Sequence, residues 1–229
     1  MQYSPTPLYP LYLSLKNSRC LIVGFGHVGQ RKLGGLLACS PASVCVLDIC
    51  PPQAEAQELL QDARVSFVLR PCTPDDIYGC ALVFAATGDA TENQRIAAIC
   101  RAQHILCNSA SNPEDGTFQV PAVVRCAPLA AALSTSGTSP ALSRRWKQEL
   151  ENWLTPRARL AALLGQLRPL ILALPDEKGQ HTQIFRKLAN SPLQEWLAQN
   201  DYESCCRYLL AELPPALHGH ITEIFHDFS

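Results

Sequence analysis

Residues 20–30 read CLIVGFGHVGQ, an apolar run that leads directly into a glycine-rich turn. Gly24, Gly26 and Gly29 follow the strand-like run, and a segment with helical spacing comes next. In such a turn the first glycine makes the tight bend, the second lets a pyrophosphate approach, and the third lets helix and strand pack closely. The phosphates would lie at the helix N-terminus, where free N–H groups favour negative charge. The pattern predicts a dinucleotide-binding turn; a packing turn without a ligand is the alternative.

Strand-like and helical segments alternate on both sides of this turn. The apolar, β-rich runs are Cys20–Val23, Val44–Leu47, Val65–Leu69, Ala81–Ala85 and Ile105–Cys107. The segments with helical spacing are Val28–Ala38, Gln53–Asp62 and Glu92–Ala102. Strands and helices that alternate in this way form βαβ units with a parallel sheet. We therefore predict an α/β fold for residues 1–112, a Rossmann-like doubly wound parallel sheet that binds NAD.

An acidic residue ends the second predicted strand. Asp48 lies 24 positions after Gly24, close to where a dinucleotide fold places the carboxylate that binds the ribose 2′-hydroxyl. A carboxylate there repels a 2′-phosphate, which favours NAD over NADP; an Asp that caps the loop is the alternative. We expect His27 and Val28 of the turn, together with Ile49, to line the same cofactor site.

The fourth predicted strand ends in small and hydroxyl residues. Thr87 follows this strand, and Asn93 lies in the first turn of the next predicted helix. Ligands of open parallel sheets bind beyond the carboxyl ends of the strands. We therefore expect Thr87 to lie beside the cofactor.

The second half of the sequence has a different pattern of predicted secondary structure. Two short strand candidates, Phe118–Val124 and Leu129–Ser134, follow a turn-rich break. A helical pattern runs from Ala141 to about Leu154, and the remainder is helical and interrupted by prolines. We predict a small dimerisation segment with a substrate loop over residues 113–153 and a helical C-terminal domain over 154–229. Two strands are too few for an independent sheet, so pairing with a second subunit is expected.

Hydroxyl side chains crowd the loop before the predicted helix at Ala141. The loop consists of Ser134, Thr135, Ser136, Gly137, Thr138 and Ser139, and the basic residues Arg144 and Arg145 follow it. Hydroxyls and free amides at a helix N-terminus suit a carboxylate or a phosphate. The loop and the two arginines are candidate substrate-binding residues. An ordinary N-cap followed by a solvated basic face is the alternative.

Composition excludes several classes of protein. The 229 residues are 47% apolar and 17% charged with a net charge of −1, which argues against a disordered chain and against nucleic-acid binding. The longest apolar runs, such as Leu170–Leu174, are far below the roughly 18 residues of a membrane span. The N-terminus lacks the basic flank of a signal peptide. The 11 cysteines include no CxxC pair, so we expect reduced structural thiols, no metal site and a cytoplasmic protein.

Several blocks together resemble the siroheme synthase N-terminal family of precorrin-2 dehydrogenases and sirohydrochlorin ferrochelatases. The blocks begin with Pro7-Leu8-Tyr9 and continue with GFGHVGQRK (24–32), LVFAATGDATENQR (82–95), CNSASNP (107–113), FQVPAVV (118–124) and APLAAALSTSGTSPALSRR (127–145). The resemblance runs from about Pro7 to about Leu154. Beyond it, the sequence matches the family only as a helical C-terminal domain.

The resemblance implies a function and an assembly. Members oxidise precorrin-2 to sirohydrochlorin with NAD, some also insert ferrous iron, and they are homodimers in which the segment after the dinucleotide domain forms the dimer contact. It also implies that a polycarboxylate tetrapyrrole lies between the loop at 134–139 and the carboxyl edge of the sheet, near Asn108.

Two positions depart from the family pattern. The family usually has an aspartate three positions after Asn108, where this chain has Ser111. A serine is neither a carboxylate base nor an iron ligand of comparable strength, so the resemblance supports iron insertion less than dehydrogenation. Asp115 or Glu114 is a candidate source of the missing charge. Ser136 replaces the first glycine of a usual Gly-Gly pair.

Two other functions compete with this interpretation. Regulatory NAD-sensing modules that gate potassium transport resemble the chain in the glycine turn, the acidic residue and the Ala-Thr-Gly-Asp stretch. They do not need the hydroxyl loop or the FQVPAVV segment. A non-catalytic tetrapyrrole carrier is the other alternative, and Ser111 favours it. Turnover distinguishes the enzyme from both, and tetrapyrrole binding distinguishes the carrier from the sensor.

Overall fold

A computed structural model describes residues 7–175 and 179–226 of the chain. The chain divides after Val120 into two compact units. The division differs from the predicted boundaries at 112/113 and 153/154. The three-part division remains a prediction about functional segments.

The first unit is built on a five-stranded parallel sheet. Its strands are β1 (Arg19–Val23), β2 (Ser43–Asp48), β3 (Val65–Leu69), β4 (Leu82–Ala85) and β5 (Leu106–Ser109). They are ordered β3-β2-β1-β4-β5, and each neighbouring pair is parallel. The chain thus starts in the middle of the sheet and winds outward in both directions. This arrangement confirms the predicted doubly wound α/β class.

Both faces of this sheet are buried, which explains the unbroken apolar strands. Leu21, Leu47 and Val83 point to a core with Ile96 of the helix α3 (Ala90–Ala102). Alternate strand residues point to a second core against the helix α1 (His27–Leu37), which includes Ile22, Val46, Phe84 and Leu33.

The prediction of a helix at Gln53–Asp62 was wrong. The segment forms two short 3-10 helices, Ala54–Ala56 and Glu58–Gln61. Ala56 is the one buried residue of these two helices, and Leu59 and Leu60 are only partly buried against the same core, so packing provides little stabilisation for a longer helix. A short helix α2 (Pro74–Ile77), absent from the prediction, begins at Thr73 with a capping box to Asp76.

The second unit opens with a β-hairpin. Strands β6 (Ala122–Cys126) and β7 (Leu129–Leu133) are antiparallel and pair with each other. The predicted strand at Phe118–Val124 therefore starts later, directly after Pro121, which has no N–H to donate to a strand partner. Pairing of the hairpin with a second copy of the chain remains a prediction.

Helices make up the rest of the second unit. They are α4 (Pro140–Leu172), α5 (Gln180–Ala189), α6 (Leu193–Ala198), α7 (Tyr202–Glu212) and α8 (His218–His226). Helix α4 packs against both strands of the hairpin and passes without a break through the predicted boundary at residue 153. Leu163, Leu167 and Ile171 of α4 enter a core with Leu197 and Leu209.

The cysteines are free thiols, and most of them are buried. Burial raises the pKa of the Cys20 thiol to about 11 and that of Cys72 to about 12, so both stay protonated at neutral pH. Within residues 7–175 and 179–226, no group of His, Cys, Asp and Glu side chains is arranged to hold a metal. In the same ranges, no helix combines the length and apolarity needed to cross a membrane.

Candidate dinucleotide-binding site

The three glycines of the turn have different steric surroundings. Gly24 has a φ of +94°, and a Cβ there would lie 2.4 Å from the carbonyl oxygen of Ala86. A Cβ on Gly29 would lie 2.0 Å from the carbonyl oxygen of Gly24. A Cβ on Gly26 would meet nothing within 4 Å. The first and third glycines are therefore required by packing, whereas the second leaves open space in front of the backbone.

That open space lies at the N-terminus of α1. Gly26 is the N-cap, no side chain caps the first turn, and no acidic residue lies in it. The N–H groups of the first turn of α1 and the helix dipole are therefore available to an anion such as a pyrophosphate. His27 and Val28 are exposed at this end of the helix. The side-chain amide of Gln30 donates to the carbonyl oxygen of Phe25 at 3.1 Å and so braces the turn.

Asp48 lies at the carboxyl end of β2, beside the turn. Its Oδ2 accepts from the backbone N–H of Phe25 at 2.5 Å, and its Oδ1 accepts from the N–H of Cys50 at 2.8 Å. The half-buried carboxylate therefore caps the loop, which was the alternative interpretation, and it also joins the glycine turn. Ile49 beside it is 72% exposed.

Thr87 follows β4 and is held by Asn93, whose side chain is fully buried. The Asn93 Oδ1 accepts from the backbone N–H of Thr87 at 3.0 Å and from its hydroxyl at 2.8 Å. The Asn93 Nδ2 donates to the carbonyl oxygen of Thr87 at 3.1 Å and to Ser111 Oγ at 3.3 Å. One amide thus joins the predicted cofactor residue Thr87 to the predicted catalytic residue Ser111.

The other two candidate catalytic residues have separate partners. The Asn108 side chain is buried and donates to the carbonyl oxygen of Phe118 at 3.1 Å, so it positions the chain after β5. Asp115 ends a 3-10 helix, and its backbone carbonyl accepts from Arg101 at 2.8 Å. The structure therefore joins Ser111 to Thr87, whereas Asn108 and Asp115 make hydrogen bonds elsewhere. Their catalytic roles remain predictions.

Asn93 was not among the site residues predicted from the sequence. The sequence predicts that Asn93 lies in the first turn of α3. It does not show that the loop after β5 lies beside this turn, and that contact is what makes Asn93 part of the site. The signal available in sequence was the ATGDATEN stretch, in which Asp89 caps α3 through the N–H groups of Thr91 and Glu92. Such a cap fixes where the next helical turn begins, and hence where Asn93 points.

The hydroxyl loop lies in the second unit, and much of its hydrogen bonding is internal. The Thr138 hydroxyl donates to the carbonyl oxygen of Thr135 at 2.6 Å, and Ser139 caps α4 through the N–H of Leu142. Ser134 Oγ accepts from the backbone N–H of Ser136 at 3.1 Å. Ser136 and Gly137 both have positive φ, at 49° and 80°. The loop is thus a preformed turn.

The two candidate arginines lie on the exposed first turns of α4. Arg145 pairs with Glu149 at 2.8 Å, but both side chains are more than half exposed. Such a surface pair contributes little stability and can exchange its partner. Arg144 has no carboxylate partner among the residues that the structure describes. The substrate-binding roles of this loop and of both arginines remain predictions.

The parallel sheet, the open glycine turn and the acid at the end of β2 define an NAD(P)-binding protein of the Rossmann class. Residues 11–122 match a family of NAD(P)-binding domains, in agreement with this geometry. The nicotinamide cofactor class predicted from the sequence is thereby supported.

Known proteins identify the family more closely. The chain is 31% identical over 198 residues to siroheme synthase 2 of Klebsiella pneumoniae subsp. pneumoniae and 32% identical to siroheme synthase of Escherichia coli O157:H7. Each alignment covers 85% of this chain and 43% of the relative. The structure is similar to that of SirC, a precorrin-2 dehydrogenase, with a TM-score of 0.70, 26% identity, and coverage of 84% of this chain and 98% of that chain.

The chain belongs to the siroheme synthase N-terminal family, as its sequence blocks predicted. It spans less than half the length of the curated siroheme synthases that it matches.

Proposed function

We propose that this protein is an NAD-dependent precorrin-2 dehydrogenase, which forms sirohydrochlorin in siroheme biosynthesis. The observation that carries the proposal is the similarity to a precorrin-2 dehydrogenase over 98% of that protein's chain. The glycine turn, with its open space at Gly26, supports the same conclusion from the geometry of this chain.

The cofactor would be held at the carboxyl edge of the sheet. The open α1 N-terminus would bind the pyrophosphate beside Gly26, and Asp48 would bind the adenosine ribose. We propose NAD rather than NADP, because the Asp48 carboxylate would repel a 2′-phosphate and neither Ile49 nor Cys50 offers a compensating charge. Thr87 would contact the nicotinamide end. When bound, NAD accepts a hydride.

The overall reaction is balanced with this cofactor alone. Precorrin-2 loses one hydride, which reduces NAD to NADH, and one proton. We propose that the proton passes to solvent, since a neutral serine occupies position 111. The chain's own contribution is to orient the two reactants and to exclude water from between them.

The substrate is a polycarboxylate, and the hydroxyl loop with its arginines suits that chemistry. Arg144 has no carboxylate partner among the described residues, and Arg145 is paired at the surface with Glu149. Guanidinium groups bind carboxylates with two parallel hydrogen bonds. We propose that Arg144 and Arg145, with residues 134–139, bind propionate or acetate groups of precorrin-2.

We also propose that the protein is a cytoplasmic homodimer. Leu142, Trp146 and Trp153 on α4 are 40%, 40% and 54% exposed and follow one another along the same helix. Exposed apolar groups close together on one element mark interaction sites. A Trp153→Glu variant that remained dimeric in light scattering would exclude this part of α4 from the dimer contact.

Anaerobic turnover tests the proposed function. Purified protein is incubated with precorrin-2, with or without NAD, while sirohydrochlorin and NADH are followed by absorbance. Both products should form only when NAD is present. Binding of both ligands without turnover would favour the tetrapyrrole carrier, and binding of NAD without tetrapyrrole would favour the NAD sensor.

A further inference from the structure

Four polar side chains form a continuous hydrogen-bonded network beyond β4 and β5. The network consists of Thr87, Asn93, Ser109 and Ser111. Asn93 links Thr87 to Ser111, as described above, and Ser109 Oγ lies 3.2 Å from Ser111 Oγ. Ser109 is 4% exposed, whereas Ser111 is exposed at the end of the network.

The backbone fixes the orientation of the Asn93 amide. The Thr87 N–H can only donate and the Thr87 carbonyl can only accept, so the amide oxygen must face the first and the amide nitrogen the second. The second hydrogen of Nδ2 then points to Ser111 Oγ. Ser111 Oγ is therefore an acceptor in this contact.

The direction of the contact between the two serines follows from burial. Ser109 Oγ accepts from the backbone N–H of Asn112 at 3.4 Å. If Ser111 donated to Ser109, the buried Ser109 hydrogen would have no acceptor among the described residues. Ser111 Oγ is the acceptor that the described residues offer to the Ser109 hydrogen, so we assign Ser109 as the donor in this contact. Ser111 Oγ thus accepts two hydrogen bonds, and its own hydrogen is directed outward.

We propose that Ser111 is a hydrogen-bond donor to an acceptor oxygen of a bound ligand, and that Asn93 is the positioning residue that aims it. This inference rests on the proposed function and assigns Ser111 a role different from that of a proton acceptor. Two sources supply the required chemistry: the carboxamide oxygen of the nicotinamide, next to Thr87, or a carboxylate of the tetrapyrrole. Both are strong acceptors, and hydrogen bonds accepted by charged oxygens are the stronger.

Two separate measurements distinguish these sources in Ser111→Ala. Calorimetric titration with NAD alone reports the cofactor contact, and the KM for precorrin-2 at saturating NAD reports the substrate contact. We expect a roughly tenfold loss in one of the two. Ser111→Thr, which keeps the hydroxyl, should restore most of it, and Ser66→Ala, at an exposed serine of β3, is the matched control.

Asn93→Asp tests the positioning role. A carboxylate there would accept the Ser111 hydrogen and turn it inward, so this variant should show the same ligand defect as Ser111→Ala. The double variant should show no further loss, because both changes remove the same contact. Thermal melting of each variant verifies that it is folded, and the Ser111 series remains decisive if Asn93→Asp is not.

Two results would overturn the inference. Unchanged NAD affinity and unchanged KM in Ser111→Ala would show that the hydroxyl contacts neither ligand. A Ser111→Asp variant that turns over faster, with a new pH-rate step in the carboxylate range, would show that the position serves a proton acceptor. The cofactor titration needs no turnover, so failure of the proposed dehydrogenase activity would be seen separately.

Discussion

The backbone N–H of Phe25 donates to Asp48 Oδ2 at 2.5 Å, which joins the middle of the glycine turn to the end of β2. Asp48 ends β2 and Phe25 follows β1, so the two residues meet at the carboxyl ends of adjacent parallel strands. The same carboxylate therefore shapes the glycine turn and, in our proposal, also binds the ribose of the cofactor. Loss of its charge should affect cofactor binding more than folding.

Asp48→Asn tests this dual role. The amide keeps one acceptor for the N–H of Phe25 or of Cys50, but it loses the negative charge that, in our proposal, repels a 2′-phosphate. We expect roughly tenfold weaker NAD binding and a smaller preference for NAD over NADP, measured by calorimetry with both cofactors. Asp75→Asn, at an exposed residue of α2, is the matched control. NAD affinity equal to that of the wild type would place the ribose elsewhere.

Alanine substitutions at Gly26 and Gly29 should separate an effect on NAD binding from an effect on stability. Gly26→Ala places a methyl group in open space, so the protein should keep its melting temperature and lose most of its NAD affinity. Gly29→Ala places it 2.0 Å from the carbonyl oxygen of Gly24, and we expect destabilisation by several kcal/mol. If Gly26→Ala binds NAD normally, the turn is only a packing element.

Asp76 should stabilise the first unit in a pH-dependent manner. It accepts two hydrogen bonds from Arg70, at 2.7 and 2.6 Å, and two from Thr73. These contacts, chiefly the one with Arg70, hold the pKa of the Asp76 carboxyl well below its usual range. Because Arg70 is partly exposed, we expect Asp76→Asn to cost about 2 kcal/mol at pH 7.

The pH dependence of the free energy of unfolding in acid tests whether the Asp76 carboxylate provides this stabilisation. A depressed folded-state pKa gives stabilisation that is complete above the unfolded pKa of about 4 and is lost as pH falls below it. The difference in free energy of unfolding between wild type and Asp76→Asn, measured with urea, should therefore shrink as the pH falls from 4 to 2. A constant difference across that range would mean that the carboxylate's charge is not the cause.

The charge of Lys32 should destabilise the folded protein, whereas the charge of Asp76 stabilises it. Its ammonium lies over the ring of Phe84, 5.2 Å from the centroid, and burial lowers the pKa of Lys32 from 10.5 to about 8. Below pH 8 the folded protein carries the full cost of a partly buried charge, and this cost disappears as pH rises toward 10.5. Lys32→Met should raise the melting temperature at pH 7 and lose that advantage by pH 10.

Lys16→Met, at an exposed lysine, should show no such trend. A stabilisation by Lys32→Met that is equal at pH 7 and pH 10 would rule out burial of the charge as its cause.

Local patterns predicted the sheet and the conformation of the glycine turn because both depend on short stretches of sequence. The run at residues 20–30 contains its strand, its turn and the start of its helix, and Asp48 lies at a fixed distance from it. The Gln53–Asp62 segment was mispredicted because its spacing suits a helix but its tertiary packing does not support one. The Asn93 amide could not be assigned from sequence, since its partner Ser111 approaches from another loop.

Stoichiometry in a single anaerobic reaction tests the proposed dehydrogenase most directly. Wild-type protein, precorrin-2 and NAD should give one NADH for each sirohydrochlorin, and the folded Gly26→Ala variant should give almost none of either. Sirohydrochlorin formed at the same rate without NADH, or in Gly26→Ala as fast as in wild type, would contradict hydride transfer to a cofactor bound at the glycine turn.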